Sequence, residues 1–598
     1  MHIDWDIDNT VEAPCPACAD TAPKPVRLQV RSAIPPCPEL PLALCNHCGT
    51  SFFPTLKEPE YETAHATKEA LAFYLEQGAG IDVMAEPLAA IDSSKVQRYL
   101  EIGCGFGFSL DFARSVFGWS VQGIDPGFAA NFGREMLDLP IASTYLRTPA
   151  DAGPEPFDLV LCSEVVEHVF EPLGFLEILR GVLAPGGTLL LTTPNAGAIA
   201  PDTPAGILVP LLSPGYHVTL YSRAGFEALL RRAGFTAVQV TEHGPTLRAA
   251  VSMTEGTADL SRRLDRDRYI DYLRERARTI APDTPLGLGL RYRRLKELTH
   301  AGRFAEAEEA ARQVVEACRA RFGFDLDKPD ELLAWTDWPA DLAAFHVRAP
   351  FSLCGILYCL GMLAWLHHGN RDLARTCFQA AAMAGEHARA VLQKIGADDG
   401  ETDDLTWRAR VYVVQILASI DAVAAVDALE ALELKPSPVM KERIPSHFLK
   451  SIAIHIRYKI FTNLVNSGNY PVADKLSWRM EQEIPLLSLA QTATVSFLLG
   501  ILSLNYRRSA KAAVDWFSKA HEASKELLCT DPQQAGMLMW PALYSQALAL
   551  VQLGCNREAE SVLRILFIPS TVPRVPEDLL EQAETLARNH RLVVKEEK

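Results

Sequence analysis

Tyr99-Leu-Glu-Ile-Gly-Cys-Gly-Phe-Gly-Phe-Ser-Leu110 reads as a strand, a bare bend and the start of a helix. A short apolar strand ends at Glu101 and Ile102, glycines follow at 103, 105 and 107, and a helix begins at Ser109. Glycines in such a bend let backbone approach a ligand closely, and the helix N-terminus faces the same space with unpaired N–H groups. The spacing departs from G-x-G-x-x-G and lacks the lysine of a phosphate-binding loop, so the bend alone marks a nucleotide-type site and no more. About twenty residues on, Ser120-Val-Gln-Gly-Ile-Asp125 is a second strand ending in an acid. A carboxylate there can accept hydrogen bonds from a ribose diol.

Working outward, the alternation continues. Phe157–Cys162 is a strong strand and Gly174–Leu183 an amphipathic helix closed by Ala184-Pro-Gly-Gly187. Thr188–Thr193 is a strand, Ser222–Leu230 lies in a helix stopped by Gly234, and Thr236–Thr241 is a final strand. Strands alternating with helices predict an α/β fold with a doubly wound parallel sheet and a ligand at the carboxyl ends of its strands.

Leu100-Glu-Ile-Gly-Cys-Gly-Phe-Gly107, Asp125, Phe157-Asp-Leu-Val160 with Glu167-His168, and Leu183-Ala-Pro-Gly-Gly187 stand in an order and spacing that resembles the class I S-adenosylmethionine-dependent methyltransferases, from about Lys95 to Val240. The resemblance implies a Rossmann-like sheet in which Glu101, Gly103 and Gly105 line the methionine end of S-adenosylmethionine. It implies that Asp125 holds the ribose hydroxyls and that Cys162 and Ser163 lie near the adenine or the sulfonium. An NAD-dependent dehydrogenase is the competing reading; the Glu101 pattern and the Glu-His segment are foreign to it.

Ser163-Glu-Val-Val-Glu-His-Val169 is the segment for chemistry. If it is helical, Glu164, Glu167 and His168 share one face, and His217 joins from a later loop. The pattern is similar to that of ubiquinone-type O-methyltransferases and small-RNA 2′-O-methyltransferases, in which E-x-x-E-H and a later His bind a metal over a vicinal diol. On that reading Glu164, Glu167, His168 and His217 hold Mg²⁺, which lowers the pKa of a substrate hydroxyl. On the metal-free reading, His217 or His168 is the general base and Glu167 is structural. A plainer role for His217 is to cap the helix that follows. Residues 195–215, rich in proline and apolar side chains, read as a lid or acceptor wall without a basic cluster.

Near the N-terminus, Cys15-Pro-Ala-Cys18 and Cys45-Asn-His-Cys48 are two C-x-x-C pairs about 26 residues apart, with a strand at Val26–Val30 between them. Two such turns complete a closed tetrahedral shell for structural Zn²⁺, and Gly49 suits the φ > 0 backbone of a knuckle. A redox dithiol, which needs only one pair, is the alternative. A zinc ribbon ahead of this core resembles a methyltransferase subgroup that serves polysaccharide or deoxysugar biosynthesis, which implies a sugar hydroxyl as acceptor.

From about Leu286 the chain reads as paired helices, each pair joined by a Gly/Asn turn: His300-Ala-Gly-Arg303, His368-Gly-Asn370, Ser467-Gly-Asn469, Leu504-Asn-Tyr-Arg507 and Leu553-Gly-Cys-Asn556. These pairs look like degenerate tetratricopeptide repeats, and such arrays bury a core by stacking and leave a surface for a protein partner or self-association. Arg262–Arg268 carries charges of alternating sign and reads as a solvated linker helix. The expected order is a ribbon (1–58), a helical connector (59–94), the methyltransferase domain (95–252), a charged linker (253–285) and the helical repeats (286–598).

Composition excludes some roles. The 598 residues carry 58 Lys+Arg against 74 Asp+Glu, a net charge of −16, which argues against a nucleic-acid binder. With 48% hydrophobic and 22% charged residues, wholesale disorder is excluded as well. The acidic N-terminus has no signal-peptide core, and Phe351–Leu366 falls short of the ~20 residues of a membrane span, so it reads as a buried helix. Thirteen cysteines without a secretory signal indicate a reducing compartment, the cytoplasm. The sequence thus predicts an O-methyltransferase acting on a sugar or glycan-precursor hydroxyl. The rivals are a metal-assisted quinone- or catechol-type enzyme and an interaction scaffold with a vestigial methyltransferase module.

Overall fold

The computed structural model describes residues 3–5, 7–56, 68–77, 80–254, 258–395, 399–434, 446–568 and 573–594. Residues 59–67, 78 and 79 of the expected connector and 255–257 of the expected linker lie outside them. The chain forms two compact units, Met1–Asn370 with Met383–Leu405, and Arg371–Ala382 with Thr406–Lys598. The helices from Leu286 to Asn370 thus fall in the first unit, so compactness breaks later than residue 286.

The first unit opens with β1 (Ile3–Asp4), β2 (Thr10–Val11), β3 (Lys24–Arg31), β4 (Glu39–Leu44) and β5 (Ser51–Phe52). Then come β6 (Arg98–Ile102), β7 (Ser120–Ile124), β8 (Ile141–Ala142), β9 (Phe157–Ser163), β10 (Leu183–Pro194), β11 (Thr219–Leu220), β12 (Ala237–His243) and β13 (Thr246–Ser252). A seven-stranded sheet runs in the order β12-β13-β10-β9-β6-β7-β8. Its strands are parallel from β8 to β10, and β13 is antiparallel to both neighbours. The doubly wound sheet expected from the sequence is present, closed by one reversed strand. The strand order reverses between β6 and β9, which opens a crevice at their carboxyl ends, the ligand position of open α/β sheets.

Period-two alternation along β6 sorts the core into two layers. Tyr99 faces a layer with Leu159, Leu161 and Leu190, covered by α1 (Lys68–Gln77), α3 (Phe108–Phe117) and α8 (Arg266–Thr279). Leu100 and Ile102 face the other layer with Val160 and Leu191, covered by α5 (Pro172–Gly181) and α7 (Arg223–Arg232). Fully burying one such Leu or Phe stabilises by about 1.5–3 kcal/mol, so both layers together fix the strand register.

The alternating charges from Arg262 to Arg268 are exposed, as expected of a solvated face, and α8 adds a buried face. Tyr269, Tyr272, Leu273 and Ala277 are buried against the first layer. Tyr272 Oη and Arg276 Nε each donate to the buried Asp111 carboxylate at 2.8 Å. Only the outer face carries the alternating charges, as i,i+3 pairs such as Arg274–Asp271.

A second, six-stranded sheet joins β1-β3-β4-β5-β11, with β2 off β3. Its last strand comes from the stretch between β10 and β12: Thr219 pairs with Phe52 and Leu220 with Ser51. Phe351–Leu366 contains a helix, Leu353–Met362, whose Leu353, Cys354, Ile356 and Leu357 are buried. Among the described residues no single helix is long and apolar enough to cross a membrane, although the bent pair Leu342–Arg348 and Leu353–His367 passes by length and composition.

Among the described residues the second unit contains helices and no strand, including Tyr470–Glu483, Leu489–Asn505, Ala510–Leu527, Pro532–Gln552 and Asn556–Leu566. The turns singled out in the sequence share one backbone device: a left-handed residue, one spacer, then the next helix. Gly468 and Gly554 supply it with φ 75°, and Arg508 with φ 54° where a glycine is missing. In the first unit Gly302 and Gly369 do the same.

Candidate functional site

The bend after β6 places Gly103, Gly105 and Gly107 in the left-handed region, with φ of 73°, 51° and 74°. Their reasons differ. A Cβ at 103 would strike Val165 and one at 107 Leu139, whereas a Cβ at 105 would meet nothing within 4 Å. Gly105 is therefore the glycine that borders open space, and the other two are required by packing.

Asp125, just past β7, turns back onto this bend. Its Oδ2 accepts from the Gly105 N–H at 2.7 Å and its Oδ1 from the Gly127 N–H at 2.6 Å. Burial nevertheless raises this carboxyl. Glu101 is 5% exposed, and its Oε2 has no hydrogen-bond partner among the described residues. Burial, with the nearby Asp125 charge, pushes it up to about 8, against hydrogen bonds from Tyr99 and Ser109. A buried carboxyl group with one oxygen unpartnered, beside a bare bend, suits a ligand that carries a cation, as the methionine ammonium of S-adenosylmethionine does.

Cys162 and Ser163 end β9 beside Ile102. Cys162 is fully buried in the second core layer, so its side chain packs and offers no surface to a ligand. A hydroxyl relay follows: Ser163 Oγ donates to Thr192 Oγ1 at 2.6 Å, and Thr192 Oγ1 donates to Glu164 Oε1 at 2.8 Å.

The segment Glu164–His168 is not an α-helix. Glu164 is left-handed with φ 53°, and only a 3₁₀ turn, Val166–His168, follows. The shared helical face is thus lost: Glu164 accepts from Thr192 and is not among the three residues whose donor atoms converge. One donor atom each from Glu167, His168 and His217 lies within 4.8 Å of the others.

The two imidazoles are held alike. His168 Nδ1 lies 3.0 Å from Tyr216 O, and His217 Nδ1 lies 2.8 Å from Leu211 O. A carbonyl only accepts, so each Nδ1 carries the proton and each neutral ring has its lone pair on Nε2. The rings stand 4.8 Å apart at 75°. Burial lowers both pKa values, His217 to about 4 with a contribution from His168. His217 does not cap the next helix; Ser222 does, through Gly225 N. Glu167 is wholly buried, with Oε2 accepting from Thr193 Oγ1 at 3.0 Å and Oε1 lying 3.8 Å from His168 Nε2. Burial and the Glu164 charge raise its carboxyl well above the ordinary range.

Sequence reasoning missed Thr192 and Thr193. Two adjacent hydroxyl residues at the carboxyl end of a buried strand were the available signal, because they face opposite sides and reach Glu164 and Glu167 respectively.

At the N-terminal sheet, Cys15, Cys18, Cys45 and Cys48 converge, with Cys15–Cys48 and Cys18–Cys45 sulfurs 3.7 Å apart. Four sulfurs about 2.3 Å from a tetrahedral ion sit about 3.8 Å from one another, so the cage fits Zn²⁺. Both knuckles use the same turn: Ala19 and Gly49, each just past the second cysteine of a pair, have φ 64° and 80°.

Residues 61–240 match the family model of a methyltransferase domain. Ubiquinone biosynthesis O-methyltransferases are similar: that of Caulobacter sp. strain K31 is 36% identical over 107 residues, and that of Pseudomonas aeruginosa strain LESB58 is 35% identical over 105. These alignments cover 16–17% of this chain and 41–45% of the relatives, so the chain spans about two fifths of their length. Among solved structures, an O-methyltransferase family protein from Burkholderia thailandensis aligns with TM-score 0.26 and 17% identity, over 31% of this chain and 59% of that one. Human N-acetylserotonin methyltransferase with bound S-adenosylmethionine aligns with TM-score 0.24 and 16% identity, over 32% and 61%. Residues 61–240 therefore carry a methyltransferase domain of the class I, S-adenosylmethionine-dependent kind.

Proposed function

We propose that the protein transfers a methyl group from S-adenosylmethionine to a hydroxyl oxygen of a sugar or glycan precursor. The observation that carries the O-transfer reading is the histidine pair: two neutral imidazoles, each with its lone pair on Nε2, beside the cofactor bend. The bound cofactor supplies an electrophilic methyl on a sulfonium. Asp125 would hold the ribose hydroxyls, Gly105 would border the methionine end, and Glu101 would face the ammonium. Methyl transfer to a hydroxyl would release S-adenosylhomocysteine, and Nε2 of His217 or His168 would take the hydroxyl proton. Glu167, with its buried carboxyl raised well above the ordinary range, is structural on this reading and lies 3.8 Å from His168 Nε2. The names of the curated relatives support oxygen as the methylated atom. The sugar acceptor is supported by the ribbon's resemblance to the polysaccharide subgroup and by Tyr216, 39% exposed next to the histidines.

A second reading has its own observation, the convergence of Glu167, His168 and His217. Two imidazoles and one carboxylate suit a transition ion rather than Mg²⁺, which favours oxygens, so without Glu164 the case for Mg²⁺ weakens. The ribbon cysteines hold structural Zn²⁺ on either reading. The test is incubation with methyl-labelled cofactor and a panel of nucleotide sugars and oligosaccharides, with and without chelator. Label on a hydroxyl oxygen supports O-transfer; label found only on carbon or nitrogen overturns it.

A further inference from the structure

The ribbon and the acceptor side of the site are one construction. Backbone bonds run from the ribbon to the site strand: Phe53 N donates to Val218 O at 3.0 Å, and Val218 N donates to Glu167 O at 2.7 Å. Both knuckles grip α7. Ser222 Oγ, at its N-cap, donates to Cys48 O, and Arg232 Nη1, in its last turn, donates to Ala17 O at 2.6 Å.

The ribbon also clamps the wall at 195–215. The Arg27 guanidinium donates to Ala196 O and Ile199 O. Leu28, Leu42 and Phe53 pack in one cluster with Ile199, Leu208 and Leu211 of α6 (Ala205–Leu212) and its approach. Leu211 supplies the carbonyl that fixes the His217 tautomer. These hydrogen bonds run to residues 196–232, whereas the cofactor bend rests on Asp125, on Leu139 and Ile141, and at Gly103 on Val165.

We infer that the four-cysteine ribbon positions the acceptor half of the site. A metal in its cage keeps Glu167, His168 and His217 in register, and its loss disarms the histidines while the cofactor bend stays formed. Arg27 is a positioning residue in this arrangement. The inference rests on the proposed reading of the histidines.

The test compares the zinc-loaded full chain, the chelated chain and Arg27→Ala at full zinc content. S-adenosylhomocysteine binding is measured first, and its absence in the untreated chain would count against the cofactor reading instead. Backbone hydrogen exchange and ¹⁵N spectra of the histidine rings follow, with His168→Gln and His217→Gln for assignment. The expected result is exchange about tenfold or more faster over residues 205–221, loss of the Nδ1–H signature at His217, and cofactor affinity within about twofold of the loaded chain. Chelation can unfold more than the ribbon, so Arg27→Ala is the deciding arm. Unchanged exchange and ring signals in that variant, or cofactor binding lost together with them, overturns the inference.

Discussion

The Gly105 N–H donates to the Asp125 carboxylate at 2.7 Å, so the bend after the first strand of the large sheet and the acid after the second are joined before any ligand enters. That bond puts a bare backbone atom and a partly desolvated carboxylate on the same wall of the crevice. Asp125→Ala is expected to weaken S-adenosylhomocysteine binding at least tenfold, about 1.4 kcal/mol, with an unchanged circular dichroism spectrum.

Gly105→Ala separates space from strain. Nothing lies within 4 Å of the added Cβ, but the φ of 51° costs about 1–2 kcal/mol for an L-residue, and the methyl occupies ligand space. Affinity should fall with modest destabilisation. Gly133→Ala is the contrast: its Cβ would run into the Phe106 carbonyl, and thermal melting should show the larger loss of stability.

Glu101 predicts proton release on binding. With its carboxyl near 8 in the free protein, it is mostly protonated at pH 7. An ammonium partner favours the ionised form and lowers that value. Binding should therefore release up to one proton between about pH 5 and 8, and affinity should rise with pH across that window. Calorimetry in buffers of different ionisation heat measures the release, which Glu101→Gln should abolish.

The histidine pair predicts the pH profile of transfer. An unperturbed imidazole loses its base form below about pH 6.5. Burial lowers His168 and His217, the latter to about 4, so kcat at saturating cofactor should hold its plateau below pH 6. Replacing the ring that acts as base by Ala should reduce kcat by about 10²–10⁴.

The large sheet was legible because its strands are short, apolar and punctuated by glycine and acid, signals that act within a few residues. The Glu164–His168 geometry was not. A single left-handed residue, Glu164, broke the helical spacing, and the Thr192 hydroxyl that anchors Glu164 comes from another strand. The α8 docking face was present in the spacing of Tyr269, Tyr272, Leu273 and Ala277 but was masked by the charges around it. The pairing of Phe52 with Thr219 joins two-residue strands far apart in sequence, and no local pattern encodes it.

Metal analysis should find one zinc per chain at the four-cysteine cage. Cys45→Ser should lose it and leave the ribbon less protected from proteolysis, because a closed thiolate site contributes its binding energy to folding.

The most direct test of the central claim is titration of the zinc-loaded full chain with S-adenosylhomocysteine in a calorimeter. One site per chain is expected, weakened by Asp125→Ala and by Gly105→Ala. A loaded, folded chain that gives no heat with either S-adenosylhomocysteine or S-adenosylmethionine at several temperatures would contradict it.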